Sequence, residues 1–203
     1  MFLAPPETTP EVEAIYKASL AGSGYVMNLA RAWAWRPDVF EGFAALRNQL
    51  TDRSSLTARE KAIVVCATAA TLGDSYCALA WGAKLAQAAD EAVAGAVLSA
   101  RESESMSARE KALAAWVRKM VHDPNGTTAR DLESLRAAGF DDREIAEATM
   151  FAAFRLAFSV FNDALGARPD LELLEAAPVA VREAVAFGRR ASDRSSACGG
   201  VAS

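Results

Sequence analysis

Histidine is nearly absent from this sequence and cysteine is scarce. The 203 residues include one histidine, His122, and three cysteines, Cys66, Cys77 and Cys198. A single imidazole excludes any multi-histidine metal site and limits proton-transfer chemistry built on histidine. No metal and no cofactor is therefore expected. Three cysteines are too few for a disulfide scaffold and point to a reducing, cytoplasmic compartment. No uncharged run reaches the roughly 18 residues of a membrane span. The start, Met1-Phe2-Leu3-Ala4-Pro5-Pro6, has neither the basic flank nor the long apolar stretch of a secretory leader. Clustered Lys and Arg are also missing, and the net charge is −4. That argues against a partner nucleic acid, whose phosphates need such clusters. Runs of Val, Ile and Thr alternating with polar residues are absent, so strands are not expected.

Helical signals are present nearly everywhere. In the pairs Thr57…Glu60, Ser107…Glu110 and Asp141…Glu144 the spacing fits a capping box, in which two side chains each satisfy a backbone N–H at the helix start. Thr9-Pro10 is a cap followed by a proline in the first turn. The punctuation predicts helices near 10–20, 25–35, 37–50, 57–72 and 75–88, with a tight break at Gly73-Asp74. It predicts others from Asp90 to about 102, from Ser107 to His122, over 128–138, from after Asp142 to about 165, and two short ones split at Pro178. The reading is a single all-α domain over 1–190, followed by a disordered tail over 191–203 that carries Cys198 as an exposed thiol.

Two helices and one echo stand out. Leu113, Trp116, Val117, Met120 and Val121 recur on one face. From Ala148 to Phe161 only Thr149, Arg155 and Ser159 are polar, so that helix should be surrounded by others, in its own chain or across a subunit interface. Thr57-Ala-Arg-Glu-Lys-Ala62 recurs as Ser107-Ala-Arg-Glu-Lys-Ala112. Two good helix starts explain this, and so does duplication of a helix-pair unit. Trp33 and Trp35 lie on opposite sides of their helix, which leaves one of them for an interface or the core. His122 suits a helix C-terminus as a cation beside the dipole.

The segment Leu56–Trp81 resembles the core motif of the alkylhydroperoxidase D-like and carboxymuconolactone decarboxylase superfamily. There a capped helix carries a glutamate, a break of the form Asn-Gly-Cys-x-Tyr-Cys follows, and a histidine comes soon after. Met106–Leu113, Ala137–Ile145 and Phe161–Gly166 resemble later pieces of the same family, best its peroxidase-related branch. The resemblance implies an alkylhydroperoxidase D-like helical domain with a central antiparallel helix hairpin, and a homo-oligomer, trimeric or hexameric. It also implies redox chemistry in which one thiolate attacks a peroxide, a second thiol resolves the sulfenic acid, and glutamate and histidine move protons.

Position by position, Asp74 stands at the first cysteine, Cys77 at the second, Trp81 at the histidine and Ala62 at the glutamate, while Gly73 and Tyr76 match. Cys77 is thus the candidate catalytic residue, and Asp74, Tyr76, Trp81, Ala62 and Cys66 the candidate pocket. Cys66 reads as a partner in a disulfide with Cys77 or as a small buried apolar residue. Asp74 reads as the cap of the second hairpin helix, and as an anion it would raise the Cys77 pKa. Trp81 reads as a filler or as the wall of an apolar pocket. Two functions remain open: thiol-dependent peroxide reduction through Cys77 alone, with an antioxidant role, or a catalytically silent relative that binds a small molecule or serves in oligomeric interaction.

Overall fold

The computed structural model describes residues 1–193; the Cys198 reading lies outside the described residues. Among the described residues there is no strand, and the elements follow the punctuation of the sequence. They are α1 (Pro10–Ser23), α2 (Asn28–Trp33), α3 (Pro37–Asp52), α4 (Ala58–Leu72), α5 (Ser75–Ala88), α6 (Glu91–Leu98), α7 (Ala108–His122), α8 (Ala129–Ala137), α9 (Asp142–Ala164), α10 (Leu171–Ala176) and α11 (Val179–Ala184). All three expected capping boxes form, and Thr128 with Asp131 adds a fourth.

Three boundaries differ from expectation for local reasons. The α6 helix ends at Leu98 because Ala100 turns left-handed, with φ 54°, and Arg101 N–H reaches back to the Ala96 carbonyl. The α2 helix begins late because Ser19 Oγ donates to the Tyr25 carbonyl and accepts from Met27 N–H, which holds that stretch out of the helix. The start of the expected tail is tied to the body: Ser192 N–H donates to the Pro169 carbonyl, and Arg168 donates to the Ala191 carbonyl.

The fold is organised around α4, which packs against α5, α6, α7 and α9. Every residue from Ala62 to Ala69 is buried, whichever way it points. Within the chain the enclosed helix is thus α4. The α9 helix buries Phe151, Ala152, Arg155, Phe158 and Ser159, but leaves Met150, Ala153, Ala157 and Val160 exposed along one apolar stripe. Trp33 is buried among Phe40, Phe43, Phe158 and Phe161, and its Nε1–H donates to Asn162. Trp35, on the other side, is exposed.

The hexamer echo has a structural counterpart. Arg59, at the start of α4, pairs with Glu110 in the α7 capping box. Arg109, at the start of α7, pairs with Glu60 in the α4 box at 2.7 Å. The two helix N-termini therefore exchange arginines. Arg109 also binds Glu144 of the α9 box at 2.6 Å, donates to the Gly139 carbonyl, and lies 3.6 Å above the Phe140 ring. Burial pushes the Glu60 carboxyl up, but the Arg109 and Thr57 hydrogen bonds outweigh it and hold the pKa below its ordinary value. Charge-assisted bonds of this kind are stronger than neutral ones. Replacing Arg109 with Met should cost about 2 kcal/mol or more in urea unfolding, because it leaves Glu60 buried and unpaired. Arg59→Met should cost less, and Arg109→Met with Glu60→Gln should be less than additive.

Candidate functional site: a cavity ending on Cys77 and Arg155

The site begins at the break between α4 and α5. Gly73 closes α4 in the left-handed region, φ 78°, where its missing Cβ removes the strain. Asp74 then caps α5, accepting from Cys77 N–H at 2.9 Å. This fixes Cys77 in the first turn of α5, and one face of the helix carries Tyr76, Cys77, Ala80, Trp81 and Lys84 in succession. Opposite, α9 presents Phe151, Arg155 and Phe158. Between them lies a cavity of about 620 Å³, closed further by Leu29, Phe40 and Arg47 and by Lys61 and Ala62 of α4.

Cys77 is 2% exposed. Its sulfur accepts from Arg155 Nη2–H at 3.0 Å and from Ser159 Oγ at 3.7 Å. Burial, the largest influence, pushes the thiol pKa up to about 12; Arg155 opposes that rise and Asp74 adds to it. At neutral pH the sulfur is a thiol facing a guanidinium. Cys66 is fully buried and its thiol is pushed up by burial and by the nearby Cys77 sulfur. Both cysteines are free, with no disulfide between them.

The structure places the candidates on both sides of the α5 backbone. Cys77, Tyr76, Trp81 and Ala62 line the cavity, whereas Asp74 and Cys66 do not. Asp74 is buried beneath the α5 start, one carboxylate oxygen on the Cys77 N–H and the other without a partner. Tyr76 turns its hydroxyl away from Cys77 to donate to Asp170, which also accepts from Asn28 N–H at 2.9 Å. Trp81 forms a wall, edge-on to Phe151 at 6.4 Å. His122 sits in the last turn of α7.

The residue missed as a site residue is Arg155. It is 4% exposed, and its Nε has no hydrogen-bond partner. The signal for it lay in the sequence: it is the one charged residue in the apolar stretch of α9, with Ser159 one turn on.

Helices of this arrangement around a thiol-bearing hairpin define an all-α alkylhydroperoxidase D-like fold. No protein-family model matches the chain, and no curated protein matches it in sequence. Solved structures do match. An uncharacterized peroxidase-related protein from Ralstonia eutropha JMP134, described as an alkylhydroperoxidase core, is similar at 26% identity and TM-score 0.73, over 85% of this chain and 93% of that one. A peroxidase-related protein from Silicibacter sp. TM1040 gives 22% identity and TM-score 0.74 over the same shares. The debrominase Bmp8, solved as a Cys-to-Ala variant with 2,3,4-tribromopyrrole, shares the fold at 13% identity and TM-score 0.71, over 87% and 95% of the two chains. By its fold the chain is similar to alkylhydroperoxidase D-like, peroxidase-related proteins.

The raised thiols have a consequence for stability. In the unfolded chain both cysteines lose their protons around the ordinary value of 9.0, whereas the native state holds them further. Their stabilisation is complete below about pH 9 and is lost as the pH rises toward 12. A Cys66→Ala variant should be less stable than the parent at pH 8 in urea unfolding, yet lose less stability between pH 8 and pH 10.5.

Proposed function

We propose that this protein binds a small organic molecule in the α5–α9 cavity, with Cys77 facing it as a protonated thiol, and that it is catalytically silent toward peroxides. The observation that carries this reading is the polar make-up of the cavity's inner end. A buried thiol and a buried arginine stand where the family chemistry calls for a thiolate, a glutamate and a histidine. Ala62 and Trp81 supply neither a proton acceptor nor a carboxylate. Cys66, behind the helix backbone, is not bonded to Cys77. What is left is a largely apolar space with aromatic residues and four cations in its walls, of a size suited to a ligand.

Thiol-dependent peroxide reduction is the second reading, and the Arg155–Cys77 contact of 3.0 Å favours it. In that scheme the Cys77 thiolate attacks one peroxide oxygen, the O–O bond breaks, and a proton goes to the leaving alkoxide. The resulting sulfenic acid condenses with an external thiol and releases water; a second external thiol then frees Cys77 as a disulfide leaves. Cumene hydroperoxide consumption with dithiothreitol as reductant separates the two readings. We expect equal rates for the parent protein and Cys77→Ala, together with iodoacetamide alkylation of Cys77 that still rises about tenfold per pH unit through pH 9–10. Peroxide turnover that needs Cys77, or alkylation that levels off below pH 8.5, would establish the peroxidase reading instead.

Assembly into a homo-oligomer, trimeric or hexameric, is part of the same proposal, as is a cytoplasmic location. The exposed apolar stripe of Met150, Ala153, Ala157 and Val160 supports the first. The two free buried thiols support the second. In sedimentation equilibrium the parent should exceed the monomer mass, and Val160→Glu should shift it toward the monomer.

A further inference from the structure

Four cations converge on the cavity without a carboxylate partner, whereas those that join the helix ends are paired. Arg59, Arg109, Lys111, Lys119, Arg136 and Arg143 all hold carboxylates. Arg47, Lys61, Lys84 and Arg155 line the cavity, and among the described residues none of them makes an ion pair. Among the described residues no Asp or Glu lines it. Arg47 bonds the Asn48 side chain and Lys61 bonds the Thr51 carbonyl at 3.1 Å. Lys84 lies 4.3 Å over the Trp81 ring.

Arg155 is the extreme case. It is almost wholly buried, and it leans on the faces of Phe158 at 4.9 Å and Trp81 at 5.5 Å. Its one hydrogen-bond partner is a sulfur, and its Nε is unsatisfied. A buried charge without a counter-ion is costly, and it is retained only when something compensates it. The protonated thiol of Cys77 carries no charge to do so. Burial, with Arg155 and Arg47 alongside, already pushes the Lys84 ammonium below its ordinary pKa, a repulsion that an anion would relieve. Phe40, Tyr76, Trp81, Phe151 and Phe158 also line the cavity, with Met27, Leu29 and several alanines between them.

We infer that the cavity's ligand is an aromatic carboxylic acid, bound as its carboxylate on Arg155 with its ring among Trp81, Phe151 and Phe158. This rests on the ligand-binding reading above and specifies its chemistry. The carboxylate supplies the missing counter-ion and can accept from the guanidinium N–H groups that Cys77 does not occupy. The ring replaces water along an apolar lining. A cationic ligand is excluded by four like charges, and a neutral one leaves Arg155 uncompensated.

The test is isothermal titration of the full chain with 2-naphthoate and its uncharged isostere 2-naphthamide, and with benzoate and benzamide as the smaller pair. We expect each acid to bind at least tenfold tighter than its amide. Raising NaCl from 0.1 to 0.5 M should change that ratio by less than threefold, because a buried pair is poorly screened. Arg155→Met should bring the ratio to near one while amide binding survives. Should that variant fail to fold, Lys84→Gln decides, since it should lower the ratio severalfold with little change in amide binding. Acid and amide binding equally would overturn the inference and leave the ligand-binding reading standing. No binding by any of the four compounds would overturn both.

Discussion

The rest of the structure depends on the exchange of arginines between two helix starts. A helix N-terminus exposes unpaired N–H groups and a partial positive charge, and the glutamate of a capping box answers both. In this chain each box glutamate also takes the arginine of the other helix. That double use locks α4 and α7 together at one end, and Arg109 brings the α9 start into the same cluster through Glu144. With three helices pinned near their N-termini, where α4 ends and how α9 runs behind it are set. The sequence echo thus has a reciprocal form in space: the arginine of each hexamer pairs with the glutamate of the other.

The consequences reach Cys77 through rigid steps. The α4 helix is buried on every side, so it cannot turn to present a different face. Its left-handed cap at Gly73 sends the chain back, and Asp74 fixes the first turn of α5 by holding the Cys77 N–H. The α9 helix, pinned at its start, carries Arg155 and Ser159 to the same sulfur. A second anchor sits below, where Glu147 of α9 accepts from Arg143 and from Ser54 and Ser55 just before α4; against the effect of burial, these bonds, Arg143 first, hold its pKa at about 2. The position of the thiol is therefore specified by backbone caps and ion pairs at some distance from it, independently of the residues that line the cavity beside it.

Much of this could be read in the sequence because caps are local. Thr57 with Glu60, Ser107 with Glu110, Asp141 with Glu144, and the Gly73-Asp74 break each announce themselves within four residues, and all took the expected form. What depends on distant partners was not legible. The α9 helix was expected to be surrounded by helices of its own chain or of another subunit; within the chain it is α4 that is buried on every side, since enclosure is decided by how helices surround a centre, and α9 keeps one exposed apolar stripe. The hexamer echo gave no hint that its arginines cross over. Of the site, Cys77, Tyr76, Trp81 and Ala62 were named by the resemblance to the family motif. Arg155 comes from a helix 78 positions away, and only its charge in an apolar run marked it.

The inner end of the cavity is governed by one competition. Burial raises the Cys77 pKa, and the guanidinium lowers it. The same guanidinium is the one buried group there able to compensate an incoming anion. These two uses of Arg155 oppose each other, because a carboxylate on the guanidinium cancels the field that favours the thiolate. An occupied cavity therefore holds Cys77 more firmly as a thiol than an empty one, and a peroxidase working through this sulfur would be inhibited by its own ligand. With Ala62 and Trp81 in place of a proton acceptor and a carboxylate, no other group in the cavity restores the thiolate. The absence of the acid–base pair at Ala62 and Trp81 and the uncompensated buried arginine thus support the same proposal, a site for an acid in place of a peroxide.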